Sequence, residues 1–374
     1  MTHRILTLVA LVASLAAAPS ASARADDRSE RREGPGAVYT MSNATAGNAI
    51  LVFGRSADGA LVAGDAVATG GMGTGAGLGN QGGLVLTRNQ RWLLAVNAGS
   101  NSVSVFEVRP QGLRLVDVEP TGGVRPISVT EHRGVVYVVH AGNDTIAGFT
   151  LSSRGQLSPL ADSVHGLSSP GAGPAQIAFT LDGGFLLVTE KANNRITIFT
   201  IDRRGRPVDR RAQDASGMTP FGFAFGKRHQ VFVTEAFGGA AGRAATSSYL
   251  IDADGTLSSI SPSVATNQTA ACWAVLTPNG KYAYVTNAGS GSISGYAVDG
   301  DGRIALLNED GRTGVTGAGS TPIDMAIANN GTILYNLNAG SRTIGAFRLE
   351  RDGSLTPLAV AVSVPAGTNG LVAR

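Results

Sequence analysis

Three side chains able to move protons, His140, Glu190 and Glu235, stand at corresponding places in a repeating chain. Each ends an apolar stretch: "VVYVVH", "FLLVTE" and "QVFVTE". In four further copies the same place holds Asn43, Asn97, Asn287 or Asn338. Two carboxylates and an imidazole on successive units are the ingredients of acid–base chemistry. One carboxylate would serve as base and His140 as its acid–base partner. Arg125, Lys191, Gln176, Trp273, Asp324, His165 and Phe221 fall in nearby segments and are the candidate substrate-binding residues. Arg125 or Lys191 would hold a substrate carboxylate or a developing oxyanion. The competing reading is structural: Asn is a turn residue tolerant of left-handed backbone, and a Glu at a turn can simply be solvated.

A second stretch invites a different chemistry. Gly70 to Gly83 reads "GGMGTGAGLGNQGG", eight glycines in fourteen residues, and contains a G-x-G-x-x-G match at Gly77, Gly79 and Gly82. That spacing cradles a dinucleotide only between a strand and a helix. No segment between the Gly and Pro breaks carries a sustained 3.6-residue apolar period, so no helix is available. The stretch is expected to be a crossover at the rim of a site, a candidate lid. Backbone N–H groups at Gly77 and Gly79 would be able to meet an anion. His132 and His229 fall in turns on the other side of the fold. Asp252-Ala-Asp-Gly255 and Asp299-Gly-Asp-Gly302 begin like calcium loops but lack the later ligands. Cys272 reads as a buried small hydrophobe. No metal and no cofactor is expected.

The elements that must position these residues are short strands. "WLLAVNAGSNSVSVFEV" from Trp92, "VVYVVHAGNDTIAGFTL" from Val135, "YAYVTNAGSGSISGYAV" from Tyr282 and "ILYNLNAGSRTIGAFRL" from Ile333 are one unit repeated. Anchors at 43, 97, 140, 190, 235, 287 and 338 recur every 43 to 54 residues. Each unit holds four strands, a to d, joined by Asn-Gly and Asp-Gly turns that favour hairpins. Seven such units predict an all-β, seven-bladed β-propeller. The first unit lacks strand a, and the chain ends "PAGTNGLVAR". Pairing of Gly370–Ala373 with Val38–Met41 is therefore expected to close the ring and remove both free edges. Strand a lies innermost. The b–c loops and d–a crossovers then share one face, with the candidate residues around its central mouth, while the a–b and c–d turns share the other.

Outside the repeats, residues 1–25 read as a secretory signal: Arg4, an apolar run from Ile5 to Ala18, then small residues. Residues 26–35 read as a charged leader, and 36–374 as a single propeller domain. Past residue 25 there are 28 Lys and Arg against 27 acids, a balance that argues against a nucleic-acid partner. No second apolar span suggests a transmembrane anchor. The single cysteine excludes an internal disulfide. The expectation is a secreted or periplasmic monomer with a small-molecule ligand or an envelope component as partner.

Tyr284-Val-Thr-Asn287 and "PNGKYAYVTNAGSGSISGY" resemble the repeat units of YVTN bacterial surface propellers and of the lactonase family. That family includes propeller-type 6-phosphogluconolactonases and 3-carboxymuconate cyclases. The resemblance spans about 330 residues and implies the propeller fold, with His, Arg and Glu around the central mouth. It implies a lactonase or cyclase acting on a small anionic or hydroxylated molecule; a non-catalytic binding propeller is the alternative. A Gly-Pro-Arg-His start of one strand a recurs in the family. Here that place reads Gly173-Pro174-Ala175-Gln176, and the Asn-Glu after it is Glu190-Lys191.

Overall fold

The computed structural model describes Met1, residues 36–328 and residues 331–374; the signal and leader readings lie outside these residues. Thirty strands and one three-residue 3₁₀ turn, Phe237–Gly239, make up the described elements. The strands form seven antiparallel sheets, each with a four-strand meander. In the fourth blade, for example, the order from the axis outward is Pro174–Phe179, Phe185–Glu190, Arg195–Ile201 and Pro207–Asp214. Strands a and b are almost wholly buried, whereas strand d alternates or is exposed. That gradient is what blades packed face to face around an axis require. Blades three and six add a short strand, His165–Gly166 and Gly314–Val315, to the outer part of strand c.

The ring closes as the sequence predicts. Asn369–Ala373 serves as strand a of the first blade, with Val38 opposite Ala373, Tyr39 opposite Val372 and Thr40 opposite Leu371. Thr40 Oγ1 donates to the Gly370 carbonyl at 2.5 Å, and Leu371 is buried. Arg55 reaches the terminal Arg374 carbonyl at 3.1–3.2 Å.

A second device joins neighbouring blades. The strand-b tyrosines Tyr137, Tyr284 and Tyr335 are buried but for their hydroxyls' partners. They donate to Gly205, Gly353 and Gly59 in the next blade's c–d turn at 2.8, 2.7 and 2.9 Å. Those turn glycines hold φ of +81°, +87° and +93°, which explains why the turn ends in glycine, after Asp at Gly353 and Gly59 and after Arg at Gly205. The turns on that face are thus inter-blade contacts as well as hairpin ends.

Deleting residues 369–374 removes a strand and the buried Leu371, and exposes the edge of Gly36–Met41. The expected outcome is a loss of at least about 3 kcal/mol and a broadened thermal transition, checked by calorimetry against the full chain. An unchanged, sharp transition would mean that the ring does not depend on this closure.

Candidate functional site

The structure does not bring His140, Glu190 and Glu235 together. Each is fully buried at the end of its strand b and is bonded within its own blade and the crossover beside it. Glu190 accepts from Thr197 Oγ1 at 2.5 Å, Asn193 Nδ2 at 2.7 Å, the Ser168 backbone N–H at 3.0 Å, and the Ser168 hydroxyl. Glu235 accepts from Ser247 and Ser263 at 2.5 and 2.7 Å. Burial raises its pKa, opposed by those hydroxyls and the Gly217 N–H; Glu190 is not among the groups acting on it. His140 contacts the Thr145 hydroxyl and carbonyl through Nδ1 at 3.1 and 3.2 Å. Its Nε2 is buried without a hydrogen-bond partner, and burial pushes its pKa down to about 4.

The asparagines at this ring position solve the same problem with opposite polarity. Asn97 Nδ2 donates to Ser102 and Ser104, and Asn287 Nδ2 donates to Ser292 and Ser294. Asn97, Asn287 and Asn338 donate to a strand-c hydroxyl where Glu190 and Glu235 accept from one, whereas Asn43 donates to Thr74, Ala76 and Gly367 instead. The variation that suggested chemistry is, in its geometry, a variation in how each blade's corner is stitched.

The residues that do converge lie deeper, at the centre. Seven positions near the start of strand a face the axis: Gly83, Ser128, Gln176, Gly222, Trp273, Asp324 and Gly370. Here the strands bulge, at Asp324 with φ +50°, and aim backbone groups inward. Ser128 Oγ accepts from Ile177 N–H of the next blade at 3.1 Å. Gln176 goes further, accepting from Phe223 N–H at 2.7 Å and donating to its carbonyl at 3.1 Å. Asp324 accepts from Met325 and, across the blade boundary, from Leu371. Full burial pushes its pKa up to about 7. At the fifth blade the corresponding residue is Gly222, which has no side chain to offer.

The glycine-rich crossover supplies what is missing. Its exposed part, through Gly77, lies at the rim; Leu78 to Gly83 then dip into the axis. Gln81 lies against Gly222, where a Cβ would strike its Oε1. It accepts from Ala274 N–H at 3.0 Å and donates to the Ala274 carbonyl at 2.8 Å. This is the bond pair that Gln176 makes one blade earlier. Its own N–H reaches the Ala175 carbonyl at 3.1 Å. Asn80, 1% exposed, donates to the Ile127 carbonyl, accepts from Trp273 Nε1 at 2.7 Å through its carbonyl, and accepts from Asn369 at 3.1 Å. Gly82 accepts from Val129 at 2.8 Å. The stretch expected to be a rim or lid is therefore an axial plug over half its length. The turn that permits it is Gly79 (φ +63°) and Gly82 (φ +78°).

Above the plug the mouth has a cationic floor. Lys191 Nζ donates to the Gly79 carbonyl at 2.5 Å and sits 5.0 Å over the Phe221 ring. Phe221 packs against Trp273 with centroids 4.9 Å apart. Burial pushes the Lys191 pKa down to about 8, and the nearby exposed Arg125 pushes in the same direction. Lys191, Arg125, Phe221, Trp273 and Gly79 are thus brought together. His165 is not: it lies on the outer strand of the third blade, its ring 6.2 Å from Phe199. Gln176 and Asp324 face the axis but are committed to neighbouring blades. Gly77 is exposed in open space. Asn80 and Gln81 were missed; the available signal was that they are the only side-chain amides in the glycine run.

The sequence profile described as "Lactonase, 7-bladed beta-propeller" matches residues 46–170, 84–236 and 244–372. Solved structures share the fold at low identity. A candidate 6-phosphogluconolactonase from Bacteroides uniformis is 21% identical with TM-score 0.75, covering 91% of this chain and 100% of that one. The Pseudomonas aeruginosa periplasmic gluconolactonase PpgL is 16% identical with TM-score 0.72, covering 91% and 99%. A Lactobacillus plantarum protein is 15% identical with TM-score 0.73 and the same coverage. No curated protein gives a significant match.

Two substitutions separate plug from stitch. Gln81→Ala strands Ala274 N–H and C=O at the axis and is expected to cost about 2–4 kcal/mol, measured by chemical denaturation. Glu190→Gln replaces an acceptor with a donor facing Ser168 and Thr197, and is expected to destabilise by about 1–3 kcal/mol. A Glu190→Gln protein as stable as wild type would show that the carboxylate is not needed as a stitch.

Proposed function

The chain belongs to the lactonase family of seven-bladed β-propellers, and from that premise we propose that it binds a small hydroxylated anion of the sugar-acid class at the plugged mouth. The observation that carries this reading is Lys191. Its ammonium is partly desolvated at the floor, held toward the mouth by the Gly79 carbonyl, with Arg125 beside it. No carboxylate is among the groups acting on it. An anion brought there meets the partly desolvated Lys191 ammonium, with the exposed Arg125 as a second, solvated cation. The Phe221–Trp273 pair lies directly beneath the ammonium as an apolar floor. Lactone ring opening is the chemistry such a floor supports: the Lys191 ammonium would stabilise the oxyanion formed when water attacks the ring carbonyl. The gluconolactonase named among the structural neighbours supports this substrate class. That neighbour is a periplasmic protein, which, with the signal-like residues 1–25, supports export.

The second reading is binding without turnover. Its specific support is that Glu190 and Glu235 spend their oxygens inside their blades, which leaves no carboxylate base at the floor.

Titration with gluconate and 6-phosphogluconate, and hydrolysis of glucono-δ-lactone, test both. Lys191→Met is expected to weaken anion binding by about tenfold or more, roughly the worth of one charged hydrogen bond. The pH dependence follows from the lysine. Of the two forms of Lys191 only the ammonium attracts the anion, and its pKa is pushed down to about 8. Binding is therefore strongest below that value and falls as pH rises through it, and this fall is absent in Lys191→Met. Turnover above background, lost in Lys191→Met, selects ring opening over mere binding. Equal affinity in wild type and variant would overturn the mouth as the site.

A further inference from the structure

The opposite face of the ring carries a separate cleft. It opens among the a–b turns of the second, third and fourth blades, with a volume of about 550 Å³, within the range of small-molecule sites. Arg88 and Arg133 stand at its edge; His132, Phe179, Leu86 and Leu181 line it. Both arginines are exposed, and neither makes a hydrogen bond or ion pair among the described residues. Arg133 is fixed in a left-handed turn conformation, φ +49°. The apolar wall is unusual for a turn region. Leu181 is 59% exposed, and the His132 and Phe179 rings lie 5.8 Å apart.

Two acids lie nearby, and Glu131 is itself part of the lining; each spends one oxygen on its own turn. Glu131 accepts from Gly134 N–H at 2.7 Å, closing its own turn. Asp182 accepts from Thr180 at 2.6 Å and Gly184 at 3.1 Å through one oxygen; His229 lies 3.9 Å from the other. Thr180 and Leu181 also line the adjoining cleft, which is edged by Arg228 and His229, so the cationic surface continues into the fifth blade. Two unpaired guanidinium groups beside exposed apolar surface are the complement of an amphipathic anion.

We propose that this cleft binds a small organic anion with a flat apolar body. Arg88 and Arg133 hold its carboxylate or phosphate, and Phe179, Leu86 and Leu181 cover its ring. The site is independent of the mouth, since it is built from a–b turns and the mouth from b–c loops and crossovers.

The test is a calorimetric or NMR titration with phenyl phosphate and benzoate, with inorganic phosphate and phenol as the half-ligands. The double variant Arg88→Gln/Arg133→Asn suits the geometry, because Asn tolerates the left-handed turn. Thermal melts of wild type and variant establish that the fold is retained. The expected result is binding of one or both aromatic anions, weakened about tenfold or more in the double variant. Lys191→Met binds as wild type does, and inorganic phosphate and phenol bind more weakly than phenyl phosphate. Three results would overturn the proposal: no binding by wild type at roughly 10 mM, affinity unchanged in the double variant, or affinity lost in Lys191→Met. The third would place the anion at the mouth. Inorganic phosphate binding as tightly as phenyl phosphate would overturn the apolar half.

Discussion

Seven innermost strands aim backbone N–H and C=O groups at one narrow axis, and those groups must find partners. An unmatched buried group costs about 1–3 kcal/mol. Ser128, Gln176 and Asp324 each answer for a neighbouring blade by reaching across the boundary. Gly222 cannot, and the chain answers for it from elsewhere, with Gln81 on the Ala274 amide. The crossover that carries Gln81 also carries Asn80, which bonds Asn369 on the closing strand. The seam of the ring and its far side are thus tied through one dipeptide, the buried Asn80 and the half-buried Gln81.

This constraint shapes the mouth. A filled axis turns a tunnel into a shallow cup whose floor is the Gly79 carbonyl. Lys191 is pinned to the Gly79 carbonyl over the Phe221 ring and is partly desolvated there. On the strand-b ring, every oxygen of Glu190 and Glu235 is bonded to hydroxyl, amide or backbone donors. The charge offered to the mouth is therefore positive, even though two of the three conspicuous residues at strand-b ends are acids.

The propeller was legible because a repeat states its own period, and the missing first strand with the spare last one stated its closure. The mouth was legible in part: Lys191, Arg125, Phe221 and Trp273 were named from their places in the repeat. The roles of His140, Glu190 and Glu235 were harder to read. Variation at a repeated position looks like chemistry, yet Asn97, Asn287 and Asn338 meet a strand-c hydroxyl as donors where Glu190 and Glu235 meet one as acceptors. The plug was hidden by distance. Gln81 and Ala274 are 193 residues apart, and nothing local says that an amide in a glycine run serves a glycine in the fifth blade. The clue was relational: Gly222 stands where Ser128 and Gln176 stand in the blades before it.

The cationic character of the turn face follows from the same accounting of polar groups. Near-neutral overall charge predicts no patch. But the acids of this face cap their own turns: Glu131 to Gly134, Asp182 to Gly184, Asp202 to Arg204 and Arg206, and Asp299 to Asp301 and Arg303. Carboxylates suit that task because a turn presents N–H groups to them. Arginine cannot cap N–H groups: the turn residues Arg88, Arg133 and Arg228 have, among the described residues, no side-chain hydrogen bond or ion pair, whereas Arg206 pairs with the capping Asp202 at 3.0 Å. The capping carboxylates keep their charge but spend acceptor oxygens on their own turns, and the guanidinium groups of Arg88 and Arg133 are left beside exposed Leu181. The unpaired arginines are thus placed by turn chemistry, which the net charge does not report.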